Sequence, residues 1–316
     1  MTAAPQPELI AVGETMALVT PALAEPLERA VDFHVEAAGA ESNVASHLAA
    51  LGHAAAWAGR VGDDALGRRL VAQLSTRGVD ASLVERDAAA PTGLYVKDPG
   101  NGVQYYRAGS AASRMSPAFA ERLPLDGVRV VHLSGITAAL SSDCDAMLDA
   151  LVSRARAARA LVSFDVNHRA ALWSSTAAAA RRLRALAAAA DLVFVGLDEA
   201  ARLWGTSTPS DVRALLPEPG RLVVKDGDVG ATEFGRAADG TDGVAHAAAH
   251  AVEVVEAVGA GDAFAAGYLA ALLEGRDAAA RLGTGHDRAV LVLGETSDFP
   301  RGIPTAARQS TEEPTP

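Results

Sequence analysis

Five short runs of aliphatic and β-branched residues recur along the chain: "LIAVGE" near the start, then "RVVHLSG", "LVSFDVN", "DLVFVG" and "RLVVKDG". The later runs are separated by alanine- and arginine-rich segments of helical character. This alternation predicts a parallel sheet covered by helices, because strands buried on both faces read as continuous apolar runs and parallel neighbours need long crossovers. Four of the runs end in polar or glycine-containing turns: Ser134-Gly135, Asp165 to Asn167, Gly196, and Asp226-Gly227. In open α/β sheets the crevice beyond the carboxyl ends of the strands is where ligands bind. With 316 residues, 49% of them hydrophobic, the chain can bury a core of the size such a sheet needs.

The segment "PTGLYVKDPGNGVQYYRAG" breaks the rhythm. Two alternating runs around "DPGNG" predict a β-hairpin, and with "MALVT" and "VDFHVEA" they can form a small separate sheet, either a lid over the crevice or an ordinary edge hairpin. The expected organisation is one domain over residues 1–300, with the small sheet drawn from segments near 14–37 and 92–108. The Pro/Thr/Glu-rich residues 301–316 are expected to be a flexible tail.

A net charge of −11 opposes non-specific attraction to nucleic acid or anionic membrane, so the arginine clusters "SRARAARA" and "RRLRALA" read as solvated helix faces. The single cysteine, Cys144, excludes an internal disulfide framework and a Cys-based zinc site. No run approaches the ~20 apolar residues of a membrane span, and "MTAAPQPELI" has no apolar leader region, so a cytoplasmic protein is expected. There is no Walker A pattern, no G-x-G-x-x-G after the first strand and no G-x-S-x-G elbow.

The stretch "VGAGDAFAAGYLAALL" places Gly259, Ala260, Gly261 and Asp262 where the chain turns into a helix. Glycines let backbone N–H groups converge on an anion, and the helix N-terminus adds partial positive charge. The same tetrapeptide is also consistent with a tight turn in which Asp262 caps the helix.

Together, "AGAESNVASHLAALG", "WAGRVGDDALGRRL" and "VGAGDAFAAGYLAALL" resemble the signatures of PfkB, or ribokinase-like, carbohydrate kinases, over nearly the whole chain to about Gly294. Within that family, "GETMALVTP", "TGLYVKD", "YYRAGSAASRMSP", "HLSGITAAL" and "FDVNHRAALW" are similar to 2-keto-3-deoxygluconate kinases. The resemblance implies a Rossmann-like ribokinase fold, a mostly parallel central sheet flanked by helices with a small β-sheet lid. It also implies ATP and Mg²⁺ as cofactors, a sugar acid as substrate, and phosphorylation of its terminal hydroxyl.

The resemblance also implies roles for individual residues. Asp262 would be the general base, with the backbone of Gly259, Ala260 and Gly261 facing the transferred phosphoryl group. Gly39 and Asn43 would belong to the sugar loop, whose plain alternative is a strand-to-helix turn. Arg107 and Arg169 would hold the carboxylate, to which planar guanidinium groups are suited. Tyr95 and Tyr105 would close over the sugar; Tyr105 and Tyr106 face opposite ways in a strand, so one of that pair is expected to be structural. Lys225, Gly227 and Gly230 would line the nucleotide side, and Glu199 would organise Mg²⁺ through water.

Two departures stand out. Gly196 replaces the asparagine of the family's N-x-x-E motif, and Ala257-Val258 replace the hydroxyl-bearing pair before the tetrapeptide, which puts monovalent-cation activation in doubt. The alternatives are a fructokinase or other neutral-sugar kinase, and a catalytically impaired sugar-binding protein of the same fold. A homodimer is the expected assembly, because an apolar lid face seeks a partner.

Overall fold

The computed structural model describes residues 6–23, 25–236, 242–295 and 297–300; the tail expected over 301–316 lies outside them. The main sheet is built from β1 (Leu9–Val12), β4 (Ala55–Ala58), β9 (Val130–Ser134), β10 (Leu161–Asp165), β11 (Leu192–Gly196), β12 (Arg221–Asp226), β13 (Gly230–Arg236) and β14 (Asp242–Ala248). Their spatial order is β14-β13-β12-β11-β10-β9-β1-β4. From β4 to β12 every pairing is parallel, while β12–β13 and β13–β14 are antiparallel. All five apolar runs of the sequence are strands of this sheet.

Alternation along the strands sends side chains into two cores. Ile10, Val12, Val131, Leu133, Val162, Phe164, Val193 and Val195 pack on one face, under the helices Ser142–Ala157 and Thr176–Ala189. Leu9, Ala11, Val130, Leu192, Phe194 and Val223 pack on the other, under the helices Ala40–Ala50 and Ala260–Leu273. Residues of both sets are buried within the same strand, which is why these runs show no polar alternation. Several helices begin on side-chain caps: Ser141 accepts from the Cys144 N–H, Ser175 from Ala178 and Thr208 from Asp211. Cys144 is a buried packing residue of that helix start.

A second sheet leaves the first just beyond β1. It comprises β2 (Met16–Pro21), β3 (Phe33–Ala38), β7 (Leu94–Asp98) and β8 (Gly102–Tyr106), in the order β3-β2-β7-β8. The hairpin expected around "DPGNG" is the antiparallel pair β7–β8. A short parallel pair, β5 (Arg60–Gly62) and β6 (Glu85–Asp87), completes the strands. No helix among the described residues is long and apolar enough to cross a membrane.

Candidate active site

The carboxyl ends of β1, β9, β10, β11 and β12 open toward the second sheet, and between them lies a cavity of about 620 Å³. Of the expected site residues, Gly39, Asn43, Tyr95, Tyr105, Arg107, Arg169, Glu199, Lys225, Gly227, Gly259, Gly261 and Asp262 all line it. Residues separated by more than two hundred positions are thus brought to one chamber.

Asp262 sits in the first turn of the helix Ala260–Leu273, directly after Gly259 and Gly261. Gly259, not Asp262, is the N-cap residue, and no side chain caps this helix. The carboxylate is therefore not spent on its own helix; instead it accepts from Asn43 Nδ2 at 2.9 Å. Burial pushes its pKa up to about 7; the Asn43 hydrogen bond opposes that rise, while Asp165 and Asp298 reinforce it. A carboxylate poised near neutrality beside a helix N-terminus has the proton affinity a general base requires.

Asn43 comes from the helix that opens at Gly39. A Cβ at Gly39 would lie 2.2 Å from the carbonyl oxygen of Glu14, so only glycine allows the loop to pass this close to the end of β1. On the other side of Asp262, Lys225 Nζ pairs with Asp165 at 2.9 Å and lies beside Gly261, 3.3 Å from where a Cβ would stand. Burial lowers the lysine's proton affinity, but Asp165 and Glu199 outweigh it and keep Lys225 charged. Glu199 accepts hydrogen bonds from the backbone N–H groups of His168 and Gly196. Burial, followed by the nearby Asp165, raises its pKa above the ordinary glutamate value.

The second sheet supplies the opposite wall. Tyr95 and Tyr105, direct cross-strand partners on β7 and β8, stack with ring centroids 5.5 Å apart. Tyr106 points away, its hydroxyl donating to Gln104, and is the structural member of the pair. Arg107 is held by Glu14, itself only 1% exposed, which also accepts from Ser110 Oγ at 2.9 Å. Arg169 lies in the exposed mouth and donates to the carbonyl of His168 at 3.4 Å.

Two expected residues do not line the cavity. Ala260 does not reach its surface, its N–H donating to the Ala257 carbonyl at 3.3 Å, and Gly230 lies on β13, where φ is +138°. A Cβ at Gly230 would meet the Ala247 carbonyl oxygen at 2.2 Å, so this glycine is required by the approach of β14. Three further residues line the cavity that were not expected there, and two of them carry a signal in the sequence. Glu14 follows the buried run of β1 immediately, as a strand-end carboxylate should. Glu41 lies in the first turn of the helix that opens at Gly39 and accepts from Ser134 and Thr137. Asp298, in "TSDFP", accepts from Tyr95 at 3.1 Å and has no local pattern that marks it.

Arg107 Nε, His168 Nε2 and Glu41 Oε2 are buried on cavity-lining residues and lack a hydrogen-bond partner among the described residues. Orphaned polar atoms around a chamber this size fit a polar ligand. A family model for pfkB family carbohydrate kinases matches residues 6–305. The chain belongs to that family. This carbohydrate kinase is 34% identical over 276 residues to the 2-dehydro-3-deoxygluconokinase of Bacillus subtilis, covering 85% of this chain and 84% of the relative. It is 33% identical over 299 residues to the enzyme of the same name from Thermoproteus tenax, covering 92% and 89%. Fructokinase-2 of Solanum lycopersicum is 31% identical over 258 residues, covering 78% and 76%. Among solved structures, a PfkB protein from Polaromonas sp. JS666 superposes with a TM-score of 0.84 at 34% identity, covering 95% and 97%. A putative ribokinase II from E. coli in complex with ATP and Mg²⁺ shares the fold, with a TM-score of 0.81 at 20% identity and coverage of 93% and 94%.

Proposed function

We propose that this ATP-dependent carbohydrate kinase phosphorylates the terminal hydroxyl of 2-keto-3-deoxygluconate. The observation that carries the substrate class is the presence of Arg107 and Arg169 in the same chamber as Asp262; a third lining guanidinium, Arg202, is paired with Asp198. A sugar acid gives both a partner. Two relatives at 33–34% identity are 2-dehydro-3-deoxygluconokinases, which supports the same reading. Neutral hexose is the second reading. It is favoured by the Glu14–Arg107 pair, which already neutralises one of the two cations, and by the fructokinase relative.

The residues present fit both cofactors. Lys225, Gly227 and the N-terminus opened by Gly259 to Gly261 suit a polyphosphate. No cluster of three metal-ligating side chains exists among the described residues. That suits Mg²⁺, which is held largely by phosphate oxygens and waters, with Glu199 as the nearby carboxylate. Bound ATP and Mg²⁺ supply the phosphoryl group and the neutralisation of its charge. The chain orients and deprotonates: Asn43 fixes the Asp262 carboxylate, Asp262 takes the hydroxyl proton as attack proceeds, and the Gly259–Gly261 backbone donors face the developing charge. Tyr95 and Tyr105 close the sugar side against water.

An ADP-release screen of sugar acids against neutral sugars tests the proposal. A clear preference for 2-keto-3-deoxygluconate is expected, and equal or better turnover of fructose overturns it. The proton affinity of Asp262 adds a second expectation. Since only the ionised form accepts a proton, kcat/KM should fall about tenfold per pH unit below an apparent pKa near 7. A profile flat from pH 5 to 8 would remove Asp262 from the base role.

A further inference from the structure

Lys97 has no part in the chemistry described so far, yet it is one of the more buried charged groups in the molecule, at 5% exposure. It lies two residues after Tyr95 on β7, so both side chains leave the second sheet on the same face. That face meets the segments on either side of the catalytic helix. Lys97 Nζ lies 3.4 Å from Asp298 Oδ1 and 3.2 Å from Glu256 Oε2. Tyr95 donates to the other oxygen of Asp298 at 3.1 Å. Glu256 stands three residues before Gly259. Asp298 Oδ2 is also 3.5 Å from Asn43 Nδ2, the group that holds Asp262.

The result is a continuous path of polar contacts from the second sheet through Lys97, Asp298 and Asn43 to Asp262. A buried ammonium is retained only where anions compensate it, and here the anions belong to the catalytic surroundings. The other groups that act on Asp262 are Asp165 from the end of β10, Arg169 from the loop beyond it, Lys225 from β12 and the Tyr95 hydroxyl from β7. Asp298 and Asp165 add negative charge there. Lys97 is in direct contact with Asp298, and Arg77 acts on the same carboxylate by its charge.

We infer that Lys97 is a positioning residue: from the second sheet its ammonium fixes Glu256 and Asp298 around the catalytic helix and offsets the negative charge gathered beside Asp262. The position of that sheet then sets the readiness of Asp262 to lose its proton. This rests on Asp262 being the base, and it goes beyond that reading by making the base depend on a residue that does not line the cavity.

Lys97→Met removes the charge and keeps the length. The proton affinity of Asp262 can be read in the ligand-free protein by ¹³C NMR titration of labelled aspartate carboxyls, its signal assigned by loss in Asp262→Asn. The midpoint is expected to rise by about one pH unit, the size of one uncompensated charge at this range. The acid limb of kcat/KM for 2-keto-3-deoxygluconate should move with it. Lys97→Arg should restore both. In Lys97→Met/Asp298→Asn, where both charges are gone, the midpoint should return close to that of the unmodified protein. The double variant also reports if the single one does not fold. An unmoved midpoint in Lys97→Met, or one still raised in the double variant, overturns the inference. If the unmodified protein shows the NMR midpoint but no kinetic limb, the base reading falls and takes the catalytic part of this inference with it.

Discussion

Asp262→Asn is expected to lower kcat by about 10²- to 10⁴-fold, the contribution typical of a positioned base, while the protein stays folded and still binds sugar. The structure explains why the two effects separate. Asparagine has the same shape, and its amide oxygen can accept from Asn43 Nδ2 in place of the carboxylate. The proton-accepting oxygen is lost; the contact is not. Stability should not suffer either. The carboxyl is raised from the ordinary 3.8 to about 7 by burial, and by Asp165 and Asp298 against the pull of Asn43. Its stabilising contribution is therefore complete below 3.8 and is lost as pH rises through about 7. Above pH 7 the unmodified protein carries an uncomfortable buried charge that the variant lacks, so the variant should unfold at an equal or higher urea concentration at pH 8. Near-normal turnover in the purified variant would end the base assignment.

The contrast between what was and was not legible in the sequence follows from range. Strands β9 to β12 announce themselves because burial on both faces makes runs such as "VVHLS" and "LVFVG" mostly apolar, without the alternation of a half-exposed strand. The glycine–aspartate tetrapeptide and the Asn43 loop are legible because each packs its chemistry into a few consecutive residues. The Lys97–Asp298 and Glu14–Arg107 pairs are not, since their members lie 201 and 93 positions apart and nothing near either one requires the other. Gly230 shows the reverse case. Its turn is read correctly from "KDGDVG", but the demand for glycine comes from the carbonyl of Ala247 on the neighbouring strand, not from a ligand.

The Glu14–Arg107 pair also changes what removing an arginine should do. Both side chains are buried, at 10% and 1% exposure for Arg107 and Glu14. Arg107→Met would leave the Glu14 carboxylate with only the Ser110 hydroxyl. Stranding a buried charge typically costs about 3–5 kcal/mol, so a large loss of stability is expected in urea denaturation at pH 8. Burial already raises the proton affinity of Glu14, against the pull of Arg107. Without that counter-charge Glu14 should take up a proton more readily, and the deficit should shrink as pH falls toward 5. Glu14→Gln combined with Arg107→Met should recover much of it by removing the stranded charge.

Arg169 is the cleaner probe of substrate recognition, because its side chain lies in the open mouth and its hydrogen bond goes to a backbone carbonyl, although its charge also lowers the proton affinity of Asp262. Arg169→Met should leave stability unchanged. The loss of one charge-assisted hydrogen-bond partner, worth about 1.5–3 kcal/mol, should raise KM for the sugar acid by about 10- to 100-fold and leave a neutral sugar nearly unaffected. Equal losses for acid and neutral sugars would argue that the guanidinium holds something common to both, such as the phosphates, and would remove the carboxylate clamp. Comparing the two arginines therefore separates a recognition group from one that must first be kept in place. Arg107 can serve the substrate only through the donors that Glu14 leaves free, and its Nε is one of them.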